Sequence, residues 1–372
     1  MSNSNIKPRI SVLFSTPTFI TPYRPYLESN FDVQWSPIPY TPPPKKILEY
    51  FSFPFRLINK KIRTFFSSNN ADILFVEFAD ETLALVSKIR KSKMIVTRLH
   101  RYELFSLPNA NWSVVDLVIV VNNWMARELE DKLPSLKGKI ICIPNFVDVE
   151  YWHKPKKRIL NNQISMIGNI EERKGHDKAI IAFSKVLKEK KDLKFRIIGK
   201  CKNQAFLDSL KLLVDDLGLA KSIEFVGYAE DLRKEYHNSD IILSFSEHES
   251  THLTLFEGLS CGVWPLSRNW EGVDEFLPKE NIFVNDSDFI AKILSYYSNN
   301  ASENSALLEK LADSSLTRFS IPDPRETLSN TILEKYKESY EKDIQRLKEK
   351  VYSTLDGKST ERCINEIIEL VN

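Results

Sequence analysis

No apolar run in this 372-residue chain approaches the ~20 residues that span a bilayer, so no membrane-crossing helix is expected. Cysteine is scarce. Cys142, Cys201, Cys261 and Cys363 stand far apart, and none has the spacing of a metal site. They are expected to be reduced, buried thiols of a cytoplasmic protein rather than a disulfide framework. There is no Gly-x-Gly-x-x-Gly loop and no Gly-x-x-x-x-Gly-Lys-Ser/Thr loop, so neither a dinucleotide enzyme nor a phosphate-loop hydrolase is indicated. The opening residues, Met-Ser-Asn-Ser-Asn-Ile-Lys-Pro, lack the charged and then apolar pattern of a leader. Basic runs stop at two or three residues and no nucleic-acid motif is present, so nucleic acid is not an expected partner.

What is present suits a soluble α/β protein. Hydrophobic residues make up 42% and charged residues 27%, and the length suits two domains better than one. The net charge of +2 is unevenly spread: residues 1–110 hold fifteen Lys and Arg against eight Asp and Glu. This basic first part suggests an anionic surface or ligand.

Short apolar runs alternate with helical patterns. Ile10–Phe14, Ile73–Phe78, Met94–Leu99, Leu117–Val121 and Lys139–Ile143 read as strands, with helices at Leu83–Arg90 and Trp124–Lys132. After a hinge near Pro144–Pro155, the strands are Ile164–Ile167, Phe195–Ile198, Ile223–Val226, Ile241–Phe245 and Ile282–Val284. Helices fall between them at Asp177–Lys190, Gln204–Leu217, Glu230–Asn238 and Leu253–Cys261. Such alternation predicts two doubly wound, Rossmann-like domains facing across a cleft, with ligands at the carboxyl ends of the strands. The domains are expected at 1–148 and 149–318, followed by a helical C-terminal extension at 319–372. Residues 338–372 read equally as a docking helix, an oligomer contact or a solvated tail. Ser36–Pro44, with five prolines, reads as a loop.

Glu249 and Glu257 stand eight positions apart, the first at a strand's carboxyl edge and the second inside the helix that starts near Leu253. The free amides at Leu253 and Thr254 suit a phosphate, and a neighbouring carboxylate can grip sugar hydroxyls. Gly168-Asn169-Ile170-Glu171-Glu172-Arg173-Lys174-Gly175 also lies between a strand and a helix. Gly168 allows close backbone approach there, and Arg173 and Lys174 can neutralise a diphosphate. His100 follows the strand that starts at Met94, and Tyr228 follows Gly227 at another strand end. In Lys45–Phe66 six residues are basic and one acidic. Pro54 is expected to break it. The following helix, with Phe55, Ile58, Ile62 and Phe65 on one face, is expected to pack that face on its own sheet; contact with an anionic bilayer is the rival reading.

These pieces resemble the retaining glycosyltransferases of family four, which have the GT-B fold. The spacing of Glu249 and Glu257 matches that family's glutamate pair, and Cys261-Gly262 matches the turn after it. Lys174-Gly175 matches the end of its Gly-Arg-x-x-x-x-Lys-Gly loop, with Asn169 in place of the arginine. Ile143-Pro144-Asn145-Phe146-Val147-Asp148 resembles its Pro-Asn-Gly-Val-Asp hinge, with a structural, turn-fixing role expected for Asn145 and Asp148. Ser250 and His252 stand where loop glycines are usual, and the glycine-rich loop after the first strand is replaced by Ser15-Thr16-Pro17-Thr18-Phe19. The resemblance implies transfer of a sugar from a nucleotide-sugar donor to a glycan or lipid-linked acceptor in cell-surface polysaccharide or glycoconjugate synthesis, with retention and with neither metal nor cofactor. It implies that Lys174, Arg173 and the amides at Leu253 and Thr254 hold the diphosphate, with Gly168 and Asn169 beside it. Glu257 would then bind the ribose, Glu249 and His100 the donor sugar, and Tyr228 the base. A non-catalytic GT-B binding or partner subunit, favoured by Asn169 and the missing glycines, and a nucleotide-sugar epimerase are the alternatives.

Overall fold

The computed structural model describes residues 7–39, 47–69, 71–88, 94–153, 160–319 and 322–352. They fall into two compact units. Unit 1 takes its residues from Met1–Val120, Glu128–Ile143 and Arg325–Asn372, and unit 2 from Val121–Arg127 and Pro144–Pro324. The division differs from 148/149 in that unit 2 begins at Pro144 and includes the short piece Val121–Arg127.

From the start of the chain the order is β1 (Arg9–Phe14), α1 (Arg24–Asn30), β2 (Asp32–Pro37), α2 (Ile47–Ser68), β3 (Ile73–Glu77), α3 (Glu81–Val86), β4 (Met94–Arg98), α4 (Arg101–Phe105), β5 (Leu117–Val120), α5 (Asn123–Lys132) and β6 (Ile140–Cys142), all grouped with unit 1 except the first residues of α5, to Arg127. The strands form one parallel sheet in the order β2-β1-β3-β4-β5-β6. Every residue of β3, β4 and β5 is buried, which is why these strands read as continuous apolar runs. The sequence reading missed β2. It is an edge strand with alternating burial, and its last residue, Pro37, is tolerated because an edge leaves backbone groups unpaired.

Unit 2 runs β7 (Gln163–Ile167), α6 (His176–Glu189), β8 (Lys194–Ile198), α7 (Gln204–Asp216), β9 (Ile223–Gly227), α8 (Leu232–His237), β10 (Ile241–Ser244), α9 (Leu253–Ser260), β11 (Trp264–Arg268), β12 (Ile282–Phe283), α10 (Asp286–Ser298) and α11 (Ala301–Leu316). Its sheet is parallel in the order β12-β11-β10-β7-β8-β9. On α6, Ala179, Ile180, Phe183 and Val186 are buried in the core beneath the sheet. The strand order reverses between β7 and β10. Their two following loops therefore open a crevice at the carboxyl edge, the place where doubly wound sheets hold ligands.

The final helix, α12 (Pro324–Tyr352), is a single element whose residues from Arg325 group with unit 1. Leu328 and Ile332 are buried, Ser329 donates to the Tyr26 carbonyl at 2.7 Å, and Asn30 donates to Ser329 at 3.0 Å.

Three expectations need correction. Helix α2 runs unbroken from Ile47 to Ser68 through Pro54, and it faces the other way from the packing expected of it. Phe55, Ile58, Ile62 and Phe65 are exposed, whereas Lys60, Thr64 and Ser68 are buried. The inward hydroxyls are satisfied within the helix itself: Thr64 donates to the Lys60 carbonyl at 2.8 Å and Ser68 to the Thr64 carbonyl at 2.5 Å. Burying them therefore strands no polar group. Of the cysteines only Cys261 is buried among the described residues; Cys142 is exposed and Cys201 half-buried. Cys363 and Tyr40–Pro44 of the proline-rich segment lie outside the described residues.

Candidate active site

The loop after β7 is shaped by one glycine. Gly175 adopts φ +68°, and a Cβ there would stand 2.6 Å from the Phe245 carbonyl oxygen. Only glycine combines that left-handed turn with so close an approach. The turn lets Glu172–Lys174 form a short 3-10 element just ahead of α6. It also seats the loop beside the end of β10, where the Glu247 amide donates to the Arg173 carbonyl at 3.0 Å.

Two cations from this loop meet a carboxylate from the next. Lys174 Nζ pairs with Glu249 Oε1, and Arg173 Nη1 lies 3.2 Å from the same oxygen. Burial pushes the Glu249 carboxyl up, but His252, Lys174 and Arg173 outweigh it and hold its pKa at about 2. His252 is itself pulled down to about 3 by burial and then by Lys174. It is thus neutral near pH 7, and the standing positive charge beside Glu249 belongs to Lys174 and Arg173.

His252 precedes the first turn of α9 with φ +59°, a conformation costing a non-glycine residue roughly 1–3 kcal/mol. Its Nε2 is 4.0 Å from Glu249. Its Nδ1, together with Ser246 Oγ and Thr254 Oγ1, is buried without a hydrogen-bond partner among the described residues. Native interiors leave few polar atoms unmet, so such atoms need a partner of some kind. Two of them, on His252 and Thr254, belong to a helix amino-terminus whose first amides, at Leu253 and Thr254, have no intrahelical acceptor. The loop is pinned from outside: Asn122 donates to the Ser250 carbonyl at 2.8 Å, and Asn145 to Thr251 Oγ1 at 3.3 Å. Asn145 therefore bonds the site loop, whereas Asp148 fixes its own turn, accepting from the Tyr151 amide at 3.0 Å.

Glu257, inside α9, accepts a 2.7 Å hydrogen bond from the Tyr236 hydroxyl. Burial raises its pKa, against the lowering effect of that bond. Gly168, with φ +141°, leaves open space where a side chain would be, and Asn169 is exposed. Tyr228 is exposed and carries Lys200 Nζ 4.1 Å from its ring centre. Unit 2 thus gathers Arg173, Lys174, Glu249 and the start of α9 around one loop pair. Glu257 and Tyr228 make separate contacts.

His100 belongs to unit 1, at the head of α4. Its ring lies between Phe19 and Phe78, with centroids at 4.9 and 4.6 Å. Nε2 is 3.2 Å from Glu77 Oε1, and Arg98 grips the same carboxylate at 2.7 to 3.0 Å. Burial works to raise the Glu77 pKa, yet Arg98 and His100 leave it lowered, while burial lowers that of His100. An ionised carboxylate only accepts, so Nε2 of the neutral ring carries the proton and Nδ1 is left as an acceptor. Sequence reasoning gave no role to Glu77, Arg98, Tyr236 or His252. The available signal for the first two was a charged residue ending each of two apolar strands that pair in register, Glu77 opposite Arg98.

Residues 152–311 match the family model described as Glycosyl transferases group 1. N-acetyl-alpha-D-glucosaminyl L-malate synthase of Bacillus anthracis is 26% identical over 230 residues. That alignment spans 56% of this chain and 59% of the relative, so little more than half the relative's length is matched. Among solved structures, Anabaena HepE in complex with UDP and glucose is similar at a TM-score of 0.69 and 14% identity, over 87% of this chain and 99% of that one. A glycosyltransferase from Rickettsia africae gives 0.68 and 19% identity over 90% and 99%. The fold is GT-B, and together with the family match it supports a group 1 glycosyltransferase.

Proposed function

We propose that this chain is a retaining, metal-independent hexosyltransferase of family four that moves a sugar from a nucleotide sugar to a glycan or lipid-linked acceptor. One observation carries the reading. Lys174 and Arg173 converge on Glu249 at the switch point of the unit 2 sheet, beside a helix start with two unmet buried polar atoms. A diphosphate is the ligand that two cations and free helix amides suit best. UDP in the complex of the similar Anabaena protein supports a nucleotide donor.

In this reading the donor diphosphate is held by Lys174, Arg173 and the amides at Leu253 and Thr254, with Gly168 giving it room and Asn169 at the rim. Glu249 turns from its ion pairs toward the sugar hydroxyls, Glu257 takes the ribose, and the Tyr228 segment lies at the base. The acceptor hydroxyl forms its bond to the anomeric carbon on the face the diphosphate leaves, and a phosphate oxygen receives the hydroxyl proton. No protein nucleophile takes part. The loop cations stabilise charge that grows on the leaving oxygen, a contribution of order 2–4 kcal/mol for one such group. His100, neutral and held by Glu77, is the unit 1 residue that this reading gives to the donor sugar. The place of action is the cytoplasm, and the product a cell-surface polysaccharide or glycoconjugate.

A panel of nucleotide sugars, assayed for nucleoside diphosphate release with and without a lipid extract as acceptor, tests the reading. Release from at least one donor is expected. A second reading, a binding or partner subunit, draws on Asn169, which removes a cation from the loop; it would show donor binding without release for every acceptor.

A further inference from the structure

Helix α2 is amphipathic in the wrong sense for a helix that only packs on its own domain. Phe55 is 75% exposed and Phe66 is 68% exposed, with Ile58, Ile62 and Phe65 about half exposed, whereas Lys60 on the opposite side is 1% exposed. At 3.6 residues per turn these five apolar side chains form one stripe about 100° wide. Exposed Lys61 and Arg63 fall along its two margins. Beneath the helix, where α2 meets α3, a pocket of about 150 Å³ is lined by Leu57, Lys60, Lys61, Glu81 and Lys88, among others. Lys60 is paired there with Glu81 at 3.2 Å, while Lys61 and Lys88 bring two further cations to the same rim.

We propose that the outward face of α2, from Phe55 to Phe66, is a peripheral membrane surface. The apolar stripe enters the headgroup region of an anionic bilayer, Lys61 and Arg63 lie along the phosphates, and the Lys61–Lys88 rim receives a lipid headgroup phosphate. Apolar residues flanked by cations are what a helix lying in an anionic interface needs, since the stripe gains from burial and the margins from the surface potential. Charge decides against a second copy of this chain. A two-fold contact through the stripe would set the Lys61 and Arg63 margins against their own images, a like-charge arrangement. The basic balance of residues 1–110 points the same way. This surface does not depend on the donor chemistry and would stand if that reading failed.

Vesicle sedimentation of the full chain tests the proposal. At low salt the protein is expected to pellet with phosphatidylglycerol-rich vesicles, at least tenfold more than with phosphatidylcholine alone, and to release as salt rises. The triple variant Phe55→Ser, Ile62→Ser, Phe66→Ser should lose pelleting at all salt concentrations. K61Q with R63Q and K88Q should lose the salt-sensitive part. All of these side chains are exposed, so both variants should keep the wild-type melting temperature. Wild-type protein that stays in the supernatant with anionic vesicles overturns the proposal. So does equal pelleting by the serine variant, or a wild-type dimer that the serine substitutions dissociate in the absence of any vesicle binding.

Discussion

Two carboxylates in this molecule each face an arginine and a histidine, and their surroundings differ. Glu77 ends β3, opposite Arg98 in the strand register, and both side chains are almost wholly buried. Arg98 is further fixed by the Phe19 carbonyl at 2.9 Å and by the Tyr23 ring at 4.5 Å. Every one of these partners sits on a strand end or packs under aromatics, so the pair is fixed within the core. Glu249 lies on a loop. Its partner Arg173 is 41% exposed at the side chain, and its neighbour His252 is in a left-handed conformation with Nδ1 unmet among the described residues. Charge pairing alone therefore does not single out a site, and the proposed function rests on the features that Glu249 has and Glu77 lacks: a loop position, a half-exposed cation and a strained neighbour.

The difference is breakable. Replacing Glu77 with alanine leaves Arg98 as an unpaired buried charge, a loss of about 3–5 kcal/mol. Urea unfolding should show that drop, and a midpoint near wild type would mean that water reaches Arg98. Lys174→Ala should do the reverse. Turnover should fall by roughly 10²–10³, with little change in melting temperature, because Arg173 still pairs with Glu249. Full turnover with donor bound would remove Lys174 from the chemistry.

Acid separates the regions next. Glu249 has a folded pKa of about 2 against an ordinary 4.5, so its contribution is present above pH 4.5 and is lost as pH falls toward 2. His252, at about 3 against an ordinary 6.5, favours the folded state above pH 6.5 and loses that contribution as pH falls toward 3. Both depressed groups act in the same direction. Melting temperature, followed by circular dichroism, should decline steadily from pH 6.5 to 3; a flat profile would show that the Glu249 loop is open to solvent. The smallest effect expected is for Tyr236→Phe. This removes the 2.7 Å hydrogen bond to Glu257 and should weaken nucleoside diphosphate binding by about tenfold at most, the equivalent of one hydrogen bond. Unchanged affinity in calorimetry would detach Glu257 from the ribose.

Much of unit 2 was legible because its strands are buried and bounded by glycines or caps: β7 through β10 and α6 through α9 stand within two residues of where periodicity puts them. Strand β11 was not, because Trp264-Pro265-Leu266-Ser267-Arg268 breaks the apolar run with a proline and a serine that the sheet nevertheless buries. The facing of α2 was illegible for a different reason. Periodicity finds an apolar stripe but cannot say whether it turns inward, and the hydroxyls of Thr64 and Ser68 are polar only until they bond their own helix. At the candidate site, Lys174, Arg173 and Glu249 were singled out by their place between strand and helix and by the family resemblance, and the structure brings the three side chains together. The Glu77 and Arg98 partners of the His100 cluster were not found, since pairing between strands is a property of register rather than of local sequence.

Calorimetry of nucleoside diphosphates, beginning with UDP, on the wild type and on Lys174→Ala tests the unit 2 site most directly. The wild type should bind at least one of them, and Lys174→Ala should weaken that binding tenfold or more. No binding by the wild type, or equal affinity in the variant, would contradict a diphosphate site between the Lys174 loop and α9.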